Sequence, residues 1–202
     1  MSPQVLEAPP PAQVVRQWPP AQGEWTYEDW LKLPDDDGYR YEVLDGVLHI
    51  SPPPRPRHQT TSGNLSTRLD NHVRAKALGR VWYAPVGVRL PNQPVPVQPD
   101  IFFIAKGRLN IVGEDHIEGA PDLVVEILSP SNWLVDRREK FQAYEKAGVR
   151  EYWLADYRAK TVEVFVLQDG EFTQFGNWGT GETARSQVLE GFEIQVDKIF
   201  EI

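Results

Sequence analysis

The sequence predicts an α/β or α+β domain in which helices flank one mixed β-sheet. Short apolar runs at 100–104 and 123–128 are continuous rather than alternating, which is typical of strands buried on both faces. Stretches at 58–78 and 136–147 instead repeat apolar residues with the period of an α-helix. Helices and strands therefore follow one another irregularly along the chain, as they do in a mixed sheet covered by helices.

The composition is that of an ordinary globular protein of one domain. The chain has 202 residues, enough for a sizeable core, and its 41% hydrophobic and 25% charged residues are close to average. The absence of cysteine excludes disulfides, thiolate metal sites and cysteine nucleophiles. A net charge of −8 argues against a broad basic surface for nucleic acid. No apolar run is long enough to span a membrane and no secretory leader is recognisable, so we expect a cytoplasmic protein without membrane contact.

Local signals divide the chain into elements. Six prolines among small and polar residues predict a flexible tail over 1–22, with the folded domain over 23–202. Asp-Gly pairs between β-prone runs predict tight hairpins at 45–46 and 169–170. A further strand is expected over 81–90. Two acidic pairings have the capping-box spacing that opens a helix: Thr26 with Asp29, and Asp136 with Glu139.

Two carboxylates mark the ends of the predicted core strands. Asp100 and Glu126 would meet at one end of the sheet if their strands pair, and buried carboxylates need a compensating partner. A divalent cation such as Mg²⁺ prefers such oxygen ligands, and the carbonyl of Ile127 is a further candidate ligand. The alternative is structural: Asp100 turns the chain after a proline, and Glu126 pairs with an arginine.

Lys140 is the candidate basic group of the same site. In a helix that begins at Asp136, Lys140 shares a face with Ala143, Tyr144 and Ala147. A lysine on the inward flank of that helix can reach a phosphate or an attacking water. The alternative is that its stem packs on apolar neighbours while the ammonium stays in solvent.

Taken together, these residues resemble the PD-(D/E)XK nuclease superfamily. The resemblance rests on Pro99-Asp100 and on Glu126-Ile127-Leu128 at the Glu-x-Lys element. More narrowly, the chain is similar to a bacterial family of restriction endonuclease-like proteins, the Uma-two family, over about 25–200. The further segments that carry this narrower resemblance are 41–46, 119–131, 140–144 and 148–153.

The resemblance implies a restriction-endonuclease-like mixed sheet with additional β-hairpins, and a metal-dependent endonuclease that hydrolyses DNA with Mg²⁺ or Mn²⁺. Asp100 and Glu126 would hold the metal, and Glu42 would add a third carboxylate. Leu128 stands where the superfamily has its lysine, so Lys140 is expected to act as its substitute.

Three basic residues are the candidates for contact with DNA phosphates: Arg55, Arg57 and His58. A homodimer with one positive cleft would reconcile DNA binding with the acidic net charge. Two other functions stay open on the sequence alone. One is a catalytically inactive binding or assembly protein that retains the nuclease fold, and the other is a hydrolase of small phosphorylated or nucleotide substrates.

Overall fold

The computed structural model describes residues 18–34, 37–91, 93–130 and 133–202. Its strands, in chain order, are β1 (Arg40–Leu44), β2 (Val47–Ser51), β3 (Gly79–Tyr83), β4 (Val88–Arg89), β5 (Ile101–Ala105), β6 (Ile117–Glu118), β7 (Leu123–Leu128), β8 (Glu151–Asp156), β9 (Thr161–Gln168), β10 (Glu171–Trp178), β11 (Thr183–Arg185) and β12 (Glu193–Gln195). Its α-helices are α1 (Tyr27–Trp30), α2 (Pro56–Ala75), α3 (Phe141–Ala147) and α4 (Val196–Phe200). None of the described helices is long and apolar enough to cross a membrane.

A mixed sheet of six strands forms the centre of the fold, in the order β10-β9-β8-β7-β5-β3. Strands β7 and β8 pair in parallel, and every other neighbouring pair in this sheet is antiparallel. The parallel pair needs a crossover, and α3 lies on the connection between its two strands. The predicted mixed sheet flanked by helices is therefore confirmed.

Both faces of this sheet are covered, which explains why five of the six residues of β7 are apolar. On one face, Leu69 of α2 packs into a core with Val125 and Trp153. On the other face, Tyr144 of α3 packs into a second core with Val124. Because side chains alternate across a strand, a strand covered on both sides is apolar except where a buried polar group has partners, as Glu126 has.

Both predicted hairpins and one of the two predicted capping boxes form. β1 and β2 pair antiparallel, and Asp45 and Gly46 take positive φ angles of 48° and 76° in the turn between them. A second antiparallel hairpin joins β9 and β10 through 169–170. Thr26 and Asp29 form the reciprocal hydrogen bonds of a capping box at the start of α1.

One predicted strand differs in the structure, and the predicted N-terminal tail is described only from residue 18 onwards. Residues 1–17 of the expected tail lie outside the described residues, while the side chain of Gln22 hydrogen-bonds the backbone of Leu48. The strand predicted over 81–90 is wrong as one element, because it breaks after β3. There the amide of Ala84 donates to the carbonyl of Asp100 at 3.0 Å, and Pro85 has no amide to continue a ladder.

Candidate active site

Asp100 and Glu126 lie at the same end of the central sheet. In the antiparallel pairing of β5 with β7, Ile101 stands opposite Val125, so the continued register sets Asp100 opposite Glu126. Residues directly opposite each other share a face of the sheet. Oδ2 of Asp100 also accepts a hydrogen bond of 2.8 Å from the amide of Ile127, which fixes the carboxylate against the edge of β7.

Lys140 reaches this end of the sheet from the helical segment before α3. Its ammonium lies 3.1 Å from Oε1 of Glu126, 3.3 Å from Oε2 of Glu42 and 3.5 Å from Oδ1 of Asp136. The lysine side chain is 1% exposed, so it does not extend into solvent along an apolar surface. One buried cation therefore joins three carboxyl groups that come from three separate segments of the chain.

Arg40 and His58 hold Asp100 from the other side. Nη1 of Arg40 lies 3.3 Å from Oδ1 of Asp100, and Nε of the same guanidinium lies 3.3 Å from Oε2 of Glu42. Nε2 of His58, in the first turn of α2, lies 3.1 Å from Oδ2 of Asp100. Glu42 is further fixed by a 3.0 Å hydrogen bond from the amide of Gln98. These contacts order both carboxylates before any ligand arrives.

Three residues of this cluster were not predicted from the sequence: Arg40, Asp136 and Tyr144. The hydroxyl of Tyr144 donates a 2.7 Å hydrogen bond to Oε1 of Glu126. Asp136 was expected to cap a helix, and this expectation is wrong. The segment Val135–Lys140 is a π-helical turn without a side-chain cap, and the carboxyl group of Asp136 is buried beside Lys140. Signals for two of them existed: Asp136 precedes Lys140 by one helical turn, and Arg40 shares a strand face with Glu42.

The positive charges keep two of the carboxylates ionised. Although burial alone would raise the pKa of Asp100, the hydrogen bond and charge of His58, together with Arg40, lower that pKa well below its usual range. Burial likewise opposes ionisation of Glu42, but Lys140 and Arg40 lower its pKa. Burial would by itself lower the pKa of Lys140, and the surrounding carboxylates instead raise it far above its usual value. Lys140 is therefore charged at neutral pH.

The other two carboxyl groups are shifted in the opposite direction. Burial, reinforced by the charges of Asp100 and Glu42, raises the pKa of Glu126 to about 7 against the attraction of Lys140. Burial and the charge of Glu126 raise the pKa of Asp136 well above its usual range, again against Lys140. The cluster has more carboxyl groups than cations nearby, and the raised pKa values of Glu126 and Asp136 reduce its negative charge by favouring their protonated forms.

The donor set is suitable for a hard divalent cation, but no metal site is already formed. Within the described ranges, no group of three or more His, Asp or Glu side chains is arranged as ligands around one point. Oε2 of Glu126 and Oδ2 of Asp136 are nevertheless buried and accept no hydrogen bond from any described residue. Such oxygens are the preferred ligands of Mg²⁺ and Mn²⁺. The carboxyl groups present therefore have the chemistry that a divalent cation needs. Lys140 lies beside them as a positive charge and is not a ligand.

The remaining predicted residues surround the cluster. Leu128, at the position of the expected lysine, is buried in the core beneath α3. Ile127 of β7 has no pairing partner in β5. Its amide on that edge of the strand donates to the carboxylate of Asp100 instead. Arg55 is exposed and lines a cleft of about 1020 Å³ beside Asp100. Arg57 is exposed on a neighbouring hollow of about 530 Å³.

Comparison with known proteins identifies the fold and then the family. The chain resembles a solved protein from Anabaena variabilis, described as a "putative nuclease belonging to DUF820", with a TM-score of 0.70 and 20% sequence identity over 87% of this chain and 97% of that chain. The molecule is thus a protein of restriction-endonuclease-like fold. A family model described as "Uma2: Putative restriction endonuclease" matches residues 27–197, and the chain belongs to this family. No match is found among curated proteins.

Proposed function

We propose that the protein is a metal-dependent endonuclease that hydrolyses DNA phosphodiester bonds. The observation that carries this proposal is the position of the Lys140 ammonium, 3.1 Å from Glu126 and 3.3 Å from Glu42 at the end of the sheet that also bears Asp100. Acidic ligands for a cation and one permanent positive charge are the parts that phosphodiester hydrolysis requires. Membership of a family described as restriction endonucleases agrees with this chemistry.

Each residue of the cluster has a role in the proposed reaction. Asp100, Glu126, Glu42 and the carbonyl of Ile127 would hold Mg²⁺ or Mn²⁺. When bound, the cation supplies Lewis-acid stabilisation of phosphoryl charge and lowers the pKa of a coordinated water. Lys140 orients the attacking water and offsets the negative charge that develops on the phosphoryl oxygens.

Basic groups around the cluster position the DNA strand. Arg40 and His58 act through Asp100, because both contact its carboxylate and hold it in one orientation. His58, which the sequence analysis assigned to DNA phosphates, is buried against this carboxylate and is not placed to contact DNA directly. Arg55 and Arg57 are exposed beside the uncapped N-terminus of α2, where phosphate oxygens are favoured. A homodimer and a cytoplasmic location stay predictions of the sequence.

The test is cleavage of plasmid and single-stranded DNA with Mg²⁺ or Mn²⁺ by the native protein and by Asp100→Asn and Lys140→Met. Removing a transition-state donor lowers rates by about 100- to 1,000-fold, and we expect losses of that order from each variant. Asp122→Asn is the matched control, because Asp122 is also fully buried and pairs with Arg108 and Arg150 away from this cluster. Thermal unfolding shows which variants remain folded. Cleavage that survives in both folded site variants would refute the assignment.

A catalytically inactive binding or assembly protein is the second candidate function. It is favoured by Leu128 in place of the superfamily lysine, by the net charge of −8 and by the complete engagement of Lys140 with carboxyl groups. Such a protein would bind DNA or a partner without turnover. Absence of cleavage by the folded native protein with either metal, on either form of DNA, would favour this candidate over the first.

A further inference from the structure

A large cleft with apolar side chains in its walls lies beside Asp100. Its volume is about 1020 Å³, and Arg40, His58 and Asp100 are the charged or titratable side chains at the end near the carboxylate cluster. Side chains of Trp30 and Leu33 line one part, and the proline loop at 52–54 lines another. Walls of this kind suit the flat apolar face of a ring rather than a row of phosphates.

Two exposed tyrosines line the same cleft next to the residues that hold Asp100. Tyr83 is 62% exposed and pairs in register with Ile101, the residue that follows Asp100. Tyr39 is 53% exposed and directly precedes Arg40, whose guanidinium contacts Asp100. Both rings line the same cleft as Asp100, with much of their surface in solvent. Ligand-binding clefts are lined predominantly by hydrophobic and aromatic side chains.

The charges of the cleft favour an unpaired strand over a duplex. Binding to duplex DNA is dominated by many Lys and Arg contacts to phosphates, and the chain has a net charge of −8. Only a few basic side chains, among them Arg55, line this cleft. An unpaired base can instead gain affinity by stacking on aromatic side chains, which every base does through its π-face. The cleft offers two exposed rings for such a base and Arg55 for its adjoining phosphate.

We propose that this cleft binds an unpaired nucleobase of a DNA strand, with the adjoining phosphodiester directed towards Asp100, Glu126 and Lys140. The inference rests on the proposed function for the identity of the polymer. Tyr39 and Tyr83 are the stacking residues, and Arg55 contacts the strand's phosphate. The protein thereby selects single-stranded DNA as its substrate class.

The experiment is fluorescence anisotropy of a labelled oligothymidylate, alone and annealed to its complement, with chelator present so that no strand is cut. The native protein should bind the single strand about tenfold more tightly than the duplex. Tyr39→Ala and Tyr83→Ala should each weaken single-strand binding by about 5- to 100-fold, the loss expected when one stacked base is released. Tyr83→Phe keeps the ring and should bind within about twofold of the native protein.

The matched control is Phe175→Ala. Phe175 is 43% exposed on β10, at the opposite edge of the sheet from β3, so its loss should leave binding unchanged. Duplex binding as tight as single-strand binding, equal binding by the tyrosine-to-alanine variants, or tighter binding of an oligouridylate would overturn the inference. Cleavage that persists unchanged in Tyr83→Ala would support the nuclease function and refute the stacking site. Tyrosine-dependent binding without cleavage would support the stacking site and refute the nuclease function.

Discussion

The ammonium of Lys140 lies 3.1 Å from Oε1 of Glu126, although the two residues belong to different elements and Leu128 holds the position where the superfamily lysine is expected. The positive charge beside Glu126 thus comes from the helical segment after β7 and not from the strand itself. Leu128 instead packs in the apolar core under α3. The ion pair and the core can therefore be changed by separate mutations.

Lys140→Met should destabilise the fold, because it leaves Glu126, Glu42 and Asp136 without their shared cation. Removing one partner of a buried ion pair costs about 3–5 kcal/mol, and we expect a loss in the free energy of unfolding of that size. Urea denaturation measures it. Lys106→Met, at an exposed position directly after β5, should change the free energy of unfolding by less than about 0.5 kcal/mol. Equal stability of the two variants would mean that the buried ion pairs contribute nothing to the fold.

Tyr144→Phe should alter the titration of Glu126 more than the architecture. The hydroxyl of Tyr144 donates to Oε1 of Glu126 at 2.7 Å and thereby favours the ionised form. Without this donor the pKa of Glu126 should rise above about 7, so the acid limb of the cleavage rate against pH should move to higher pH.

Tyr152→Phe is the matched control for that shift. Its hydroxyl is equally buried but donates to the backbone carbonyl of Asp136 at 2.9 Å, so it loses one hydrogen bond without touching a carboxylate. Each variant should lose about 1–3 kcal/mol of stability, while only Tyr144→Phe should shift the acid limb. If both variants shift the acid limb equally, the shift comes from a general loss of order at the site and not from the lost hydrogen bond to Glu126.

Much of the fold was predictable because apolar period and turn chemistry act locally. The continuous apolar run at 123–128 and the Asp-Gly turn at 45–46 each determine their element within a few residues, and both form as predicted. The site was predictable in part for a similar reason: Asp100 directly precedes β5, Glu126 lies in β7, and the pairing of these strands brings the two residues opposite each other.

The rest of the site depends mainly on contacts between distant parts of the chain. Arg40 shares a strand face with Glu42, but nothing in the local sequence indicates that it also contacts Asp100, which is 60 residues away in the chain. Asp136 has the spacing of a cap, but the π-helical turn moves its carboxyl group inward beside Lys140. Each hydrogen bond of a π turn spans one residue more than in an α-helix, and the period of the apolar residues does not indicate this change.

The fold should lose stability in acid as the carboxylate of Asp100 becomes protonated. Its pKa in the folded protein lies below the ordinary value of 3.8, because His58 and Arg40 outweigh the effect of burial. Its ionisation therefore stabilises the fold above that value, and the contribution is lost as the pH falls from about 5 towards 1. Urea denaturation across this range should give a difference in stability between the native protein and Asp100→Asn that shrinks with acidity. A difference independent of pH would contradict the lowered pKa.

Ionisation of Glu126 should change the stability of the fold with pH in the opposite direction. Its pKa is raised from 4.5 to about 7 in the folded protein, chiefly by burial, so the folded state holds a proton that the unfolded state has released. Stability from this group should therefore fall as the pH rises from about 4.5 to about 7 and then level off. Relative to the native protein, Glu126→Gln should gain stability over that window. A gain that appears only below pH 4.5 would show that Glu126 is not held protonated.

Binding of Mn²⁺ should raise the thermal unfolding temperature of the native protein, because a cation that binds only the folded state stabilises it by mass action. The cation must displace protons, since Glu126 titrates near pH 7 and the pKa of Asp136 is higher than usual. The rise at saturating Mn²⁺ should therefore be larger at about pH 8 than at about pH 6. Differential scanning fluorimetry at both values measures it.

Two variants separate this site from adventitious binding of Mn²⁺. Asp100→Asn removes one proposed ligand charge and should abolish most of the rise at either pH. Asp122→Asn also removes a fully buried carboxylate, but one that pairs with Arg108 and Arg150, so its unfolding temperature should start lower and still rise with Mn²⁺. If both variants keep the rise, the cation binds elsewhere. The close approach of Lys140 to Glu126 then reflects ion pairing inside a site that holds no metal.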